Sequence, residues 1–432
     1  MSPEPKRIHA EFMKTWEEGY VSTRIAYETM HTPCFFLVRG EQLRDEDGRL
    51  DRTRIDDFLR ATAASAPVFR LRLQRSFLGL TPPAWVPDDD FDLARHVIYA
   101  DAPVDLSTAD IRRLAGDDGT LLSIDHPLWR MRVTELTDGD VAIGCVLHHA
   151  ALDGQSMMKV MTMLTTKAAD DDPVGPDDPF AGTRAARATE LPVLAAARWW
   201  RALPDRAPRA AVRSYLSKPL VKRARRVAGR LLLPLRFDAG GEAARAAALP
   251  PRVSAYTRVD YARARQHARD LGGTLSDLLA AAAIGAWDGA KRRVTLRFPV
   301  MVTAESGPKA RNSVRDISVQ ADADAPLADR VLAVHEQIAA RDETDAPAPS
   351  DDAIGFTTVI PWVSRPRYFA GSEVREVIPF PASLGSDELA AVGVIYNGAM
   401  TVGANMPARS DIAATLDRIA AQLMPLDDGE RP

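Results

Sequence analysis

The stretch Cys145 to Ser156, CVLHHAALDGQS, places two of the chain's 8 histidines side by side, with Asp153 and Gly154 shortly after them. An imidazole with an ordinary pKa of about 6.5 takes a proton from a hydroxyl or amine at neutral pH, which is worth about 10²- to 10⁴-fold in rate. Successive side chains on a strand point to opposite faces, so His148 and His149 serve one site only if the chain turns between them. That favours one chemical histidine and one structural neighbour. Asp153 fits two roles, shaping that turn or capping the following helix with its carboxylate, and the second does not exclude the first. Gly154 leaves room for a substrate or a backbone segment to come close. The adjacent pair diverges in direction and lacks the four-residue helical spacing of zinc proteases, so no metal is assigned. No Gly-x-Ser-x-Gly elbow supports a serine hydrolase, and Cys145 reads as a small core residue. A buried histidine at a strand end is also an ordinary core residue. The local pattern therefore leaves the chemical and the structural reading both open.

The elements that must position this motif are legible around it. GDVAIGCVLHH is apolar on both faces from Val141 to Leu147, which predicts a strand buried on both sides. GQSMMKVMTMLTT follows with Met157, Met158, Met161 and Leu164 at helical spacing, so the histidines fall where a central strand hands over to a helix. In the second half, TLSDLLAAAAIGAWDGA predicts a helix with Thr274 or Ser276 near its start. RVTLRFPVMVT reads as a strand, and AAVGVIYNGAMTVGANM as a hairpin turning at Asn397-Gly398. The class is α/β or α+β, mixed sheets with flanking helices.

The chain has 432 residues, 46% hydrophobic and 26% charged, which is enough for a sizeable core in two or three domains or one two-lobed unit. A net charge of -4, from 55 basic and 59 acidic residues, gives no global field for nucleic acid. Cys34 and Cys145 are too few for a disulfide framework or a cysteine metal site and agree with a reducing cytoplasm. The charged N-terminus lacks the apolar core of a secretory signal, and no run is long enough to span a bilayer. The expectation is a cytoplasmic protein, soluble or peripherally bound. Two stretches rich in Asp, Pro and Gly, 168–182 and 340–355, read as surface linkers. After the first comes a basic segment bearing Trp199 and Trp200, which suits either an inter-lobe connection or contact with an anionic membrane surface.

His148-His149-Ala150-Ala151-Leu152-Asp153-Gly154 matches the His-His-x-x-x-Asp-Gly signature of the CoA-dependent acyltransferase superfamily, which includes chloramphenicol acetyltransferase and condensation domains. MHTPCFFLV, PVFRLRL, PAWVPDDDFDLARHV and HPLWRMRVTEL, with its Pro127-Leu128-Trp129 element, resemble the N-terminal half of the bacterial wax ester synthase/diacylglycerol acyltransferase family. TLSDLLAAAAIGAW, VMVTAESGPKARNSV and the stretch from Thr357 to Met406 resemble its C-terminal half. The resemblance covers nearly the whole chain apart from the basic connection. Two departures stand out. Ser276-Asp277 replaces an Asn-Asp pair, and Thr357-Thr358-Val359-Ile360-Pro361 replaces Ser-Asn-Val-Pro-Gly.

The resemblance implies two chloramphenicol-acetyltransferase-like lobes, each a mixed β-sheet with flanking helices, with an active-site tunnel between them. On this sequence the N-terminal lobe is 1–180, the basic connecting segment 181–251 and the C-terminal lobe 252–432. The implied activity is transfer of a long-chain acyl group from acyl-CoA to a hydroxyl acceptor, diacylglycerol or a long-chain alcohol, giving triacylglycerol or wax ester. Coenzyme A thioester enters as substrate, and no cofactor is implied. His149 is the implied general base, His148 orients the turn, Asp153 turns away into an ion pair, and Gly154 keeps the tunnel open. Thr357 or Thr358 is the candidate oxyanion donor. Such products live in membranes and lipid droplets, which makes a lipid surface a possible partner. Two alternatives remain beside this reading: a condensation-domain-like or polyketide-associated enzyme fed by a carrier-bound acyl group, and a catalytically diverged protein that only binds an acyl chain or a partner.

Overall fold

The computed structural model describes residues 6–13, 30–120, 122–151, 154–173, 178–201, 252–290, 292–301, 314–340, 352–382 and 387–424. Asp153 and residues 202–251 of the basic connection lie outside the described residues. So does most of the 340–355 linker.

The first half carries β1 (Arg7–His9), β2 (Glu11–Phe12), β3 (His31–Val38), α1 (Arg52–Ser65), β4 (Leu71–Gln74), β5 (Ala84–Pro87) and β6 (Val97–Tyr99). It continues with α2 (Ile111–Leu114), β7 (Trp129–Glu135), β8 (Val141–His148), α3 (Gly154–Met163), β9 (Thr183–Ala185) and α4 (Leu191–Arg201). The second half opens with β10 (Arg252–Val259), α5 (Tyr261–Asp270), α6 (Leu275–Ala286), β11 (Arg293–Met301), β12 (Val314–Asp322) and α7 (Leu327–Ala339). It ends with β13 (Gly355–Pro361), β14 (Tyr368–Phe369), β15 (Ser372–Pro379), β16 (Leu389–Tyr396), β17 (Ala399–Pro407) and α8 (Ile412–Leu423).

Two six-stranded mixed sheets organise the molecule, one in the order β14-β15-β3-β8-β7-β6 and the other β10-β17-β16-β13-β11-β12. Strand β8 lies inside the first sheet and is buried along both faces up to Leu147, as its unbroken apolar run predicts. Strands β16 and β17 form the expected hairpin. Asn397 (φ 48°) and Gly398 (φ 80°) both take the left-handed conformation that a tight two-residue turn requires.

Strand pairing crosses the lobe boundary read from the sequence. Residues 368–379 fall in the second half of the chain, yet β15 pairs with β3 and completes the first sheet. The edge of β3 needs hydrogen-bond partners, and Val374 and Val377 of β15 fill the first core. A second crossing runs through side chains. Val392, Val394 and Tyr396 of β16 belong to the first core, and Phe356 and Ile360 of β13 pack against it. The other face of the same strands, with Ala391, Leu389 and Val359, packs on the second core with α6. One face of the second sheet is therefore turned to the first lobe and the other to its own helices.

Helix α2 lies directly on β8. A Cβ at Gly144 would overlap the carbonyl oxygen of Leu114, so only glycine permits this approach. Gly144→Ala is expected to push α2 off the strand and to destabilise the protein by about 1–3 kcal/mol, as overpacking does. Urea denaturation measures it, and an unchanged midpoint would contradict the contact.

Candidate active site

Strand β8 ends at His148, and a turn begins there, with Ala151 N–H donating to His148 O at 2.9 Å. The chain therefore does turn between the two histidines. Their backbone amides are held from opposite sides. His148 N–H donates to Leu128 O at 3.0 Å, and His149 N–H donates to Met30 O at 2.7 Å. Leu128 belongs to the Pro127-Leu128-Trp129 element, all three of whose residues are buried. Trp129 fixes that element in the core: its Nε1–H donates to Phe69 O at 3.0 Å, and its ring stacks on His96 at 4.3 Å.

The His148 ring has a structural bond. Its Nδ1 accepts from Ala150 N–H at 3.1 Å, which places the ring proton on Nε2. Burial, with His31 and His149 nearby, pushes the His148 pKa down to about 3.

Residues that the sequence did not single out surround this turn. His31 stands opposite His148 in the β3–β8 register, and the two rings meet edge-on at 6.5 Å. Its Nδ1 bonds to Asp117 Oδ1 at 3.1 Å, and Asp117 is also paired with Arg112. Burial works against ionisation of Asp117. The hydrogen bond from His31 and the pairing with Arg112 outweigh it and hold the carboxyl well below the usual carboxylate range. MHTPCFFLV contains His31, but only the strand register shows which residue faces it.

Helix α3 begins at Gly154, the last residue of the motif, and buries Met157, Val160 and Met161. Its far end is gripped by the segment after β13. Trp362 stacks on Tyr396 at 5.0 Å and on Phe36 at 6.2 Å, and its Nε1–H donates to Thr162 Oγ1 at 2.8 Å. Arg367 donates to Thr162 O at 2.7 Å, to Thr165 Oγ1 at 3.0 Å and to Thr165 O.

The remaining candidates separate. Thr357 is fully buried and alternates with Thr358, so they face opposite ways. Thr357 pairs in register with Ala391 of the second core, whereas Thr358 pairs with Val392 of the first. Thr358 is thus the one on the face turned to the histidine-bearing lobe. Ser276 and Asp277 are not brought to that face. They start α6, where Thr274 is the cap: Thr274 Oγ1 accepts from Asp277 N–H at 3.2 Å, and Asp277 Oδ2 accepts from Thr274 N–H at 2.8 Å. Asp277 Oδ2 also bonds to His335 Nδ1 at 2.8 Å. A cavity of about 480 Å³ opens beside this cap, lined by Ser276, Asp277, Phe298 and His335 among others. It lies within the second lobe.

Solved structures share this architecture. A wax ester synthase/diacylglycerol acyltransferase from Marinobacter aquaeolei VT8 superposes with a TM-score of 0.61 at 16% identity, covering 96% of this chain and 98% of that one. The first condensation domain of the CDA synthetase gives 0.59 at 16% identity, over 96% and 97%. Polyketide synthase associated protein 5 from Mycobacterium tuberculosis gives 0.54 at 15% identity, over 96% and 98%. These likenesses place the fold in the two-lobed class shared by condensation domains and wax ester synthases. The sequence is more specific. The family model described as wax ester synthase/diacylglycerol acyltransferase catalytic domain matches residues 18–279, and the chain belongs to that family. A putative diacylglycerol O-acyltransferase of Mycobacterium tuberculosis is 37% identical over 110 residues, 25% of this chain and 23% of its own length. A probable diacylglycerol O-acyltransferase of the same organism is 35% identical over 107 residues, 24% of each. The chain matches about a quarter of the length of these curated relatives.

Proposed function

We propose that the protein is an acyl-CoA-dependent O-acyltransferase that moves a long-chain acyl group to the hydroxyl of diacylglycerol or a long-chain alcohol. The observation that carries this reading is the turn at the end of β8. Two backbone bonds fix adjacent histidines there, and the His148 ring is taken up by the Ala150 amide, so His149 is the one assigned as base. His149 takes the hydroxyl proton as the acceptor oxygen attacks the thioester carbonyl. The tetrahedral intermediate collapses, the C–S bond breaks, and the proton held on His149 passes to the departing CoA thiolate. The ester and free CoA leave. Thr358, on the lobe-facing side of β13, is the candidate donor to the oxyanion. No metal takes part in this scheme.

Contact with a lipid surface accords with such substrates. No helix among the described residues is long and apolar enough to cross a membrane. On α4, where the basic connection begins, Trp200 is 71% and Val193 69% exposed. Apolar side chains presented beside basic ones suit a membrane interface.

The deciding experiment is release of CoA thiol from palmitoyl-CoA with hexadecanol, dioleoylglycerol or no acceptor. Release that depends on an acceptor is expected, and the productive acceptor names the class of product. Activity with a carrier-bound acyl group alone would replace this reading with a condensation-like one. No turnover of either donor by the folded protein would leave an acyl-chain or partner binder.

A further inference from the structure

The trio Arg112, Asp117 and His31 sits behind the histidine turn without being part of the proton-transfer step. Asp117 and His31 are almost completely enclosed, at 4% and 2% exposed. Asp117 comes from the loop after α2, the helix that Gly144 allows to lie on β8. An ionised carboxylate only accepts hydrogen bonds, so Asp117 takes the Nδ1–H of His31 and fixes both the tautomer and the plane of that ring. The preceding residue, Met30, has φ 50°, a left-handed conformation that a residue with a side chain adopts only when its surroundings impose it. In that conformation the Met30 carbonyl accepts the His149 N–H at 2.7 Å. A continuous link therefore runs from Arg112 through Asp117 and the His31 ring to the Met30 carbonyl and the backbone of His149.

We propose that His31 is a positioning residue for acyl transfer: Asp117, anchored by Arg112, holds the His31 ring, and the adjoining Met30 carbonyl thereby sets where His149 stands. This rests on the reading of His149 as the base. It differs from a role in filling space, because what matters is the N–H donated to Asp117. Asparagine places an amide nitrogen close to the position of Nδ1, whereas leucine fills the space without a donor. Displacing a catalytic group by about 1 Å costs on the order of 10²-fold in rate, and substrate binding is spared.

The test compares His31→Asn, His31→Leu, Asp117→Asn and His149→Ala in steady-state acyl transfer, with amide hydrogen exchange of the segment 145–151 measured alongside. His31→Leu and Asp117→Asn are expected to lower kcat by about 10- to 100-fold with KM for palmitoyl-CoA within about twofold. His31→Asn should recover most of the loss, and exchange at 145–151 should quicken in His31→Leu and Asp117→Asn only. If His31→Leu fails to fold, Asp117→Asn and the exchange measurement decide the matter. Wild-type kcat in His31→Leu or Asp117→Asn beside an inactive His149→Ala would overturn the positioning role. So would rescue by leucine and not by asparagine. Full activity of His149→Ala would instead overturn the base reading, and the exchange data would still show whether the trio holds the turn.

Discussion

His149→Ala is expected to lower acyl transfer by about 10²- to 10⁴-fold, the range that a positioned general base contributes. The substitution is well suited to the question because the backbone bonds that shape the turn do not pass through the imidazole. The bond that places this residue is its backbone N–H to Met30 O, which alanine keeps. The thermal midpoint should therefore stay close to that of the parent, and palmitoyl-CoA should bind with similar affinity. The loss should fall on kcat, since proton removal belongs to the transition state and not to the bound substrate. His148 makes the opposite comparison. Its ring bonds to the Ala150 amide and is held neutral, so its removal acts on the shape of the turn. Retention of near-parental kcat in His149→Ala would remove this histidine from the chemistry.

The parts of the molecule that local chemistry decides were legible in the sequence. Strand β8 and helix α3 follow from an unbroken apolar run and from Met157, Met161 and Leu164 at helical spacing. The turn at Asn397-Gly398 follows from two residues that tolerate positive φ. What the sequence did not disclose is decided by partners far along the chain. Nothing in SEVREVIP says that this strand pairs with β3 and not with the second sheet, because either choice buries its valines. His31 becomes part of the site only through the register that sets it opposite His148, across a separation of more than a hundred residues. The direction of Thr357 and Thr358 was equally hidden, since alternation is certain and its phase is not. Asp277 stands beside one of the two departures from the family pattern, and its bonds to the cap of α6 and to His335 show only once α7 is packed against that helix. The motif itself was legible because strand, turn and helix adjoin in sequence, and of its seven residues Leu152 and Asp153 lie outside the described ones.

Arg367→Ala is expected to destabilise the protein by about 3 kcal/mol, since charge-assisted hydrogen bonds are worth about 1.5–3 kcal/mol each and are not additive. Arg367 is 7% exposed, and burial lowers its pKa, yet its guanidinium meets carbonyls and a hydroxyl and not a carboxylate. The reason lies in α3. The last carbonyls of a helix have no partner within it and carry the negative end of the helix dipole, so a cation with several N–H donors satisfies both needs. Arg367 supplies them to Thr162 O and Thr165 O, while its own backbone N–H donates to Tyr396 Oη at 2.9 Å. The contact thus ties the helix that starts at the histidine motif to the second lobe's hairpin. Arg367→Lys should recover only part of the loss, because an ammonium cannot reproduce the planar fork that spans both groups. Chemical denaturation gives the stability, and acyl transfer by the folded fraction gives the second readout. A denaturation midpoint unchanged by Arg367→Ala would mean that α3 holds its place without this cap, and the grip on the motif would then rest on Trp362 and the packed methionines alone.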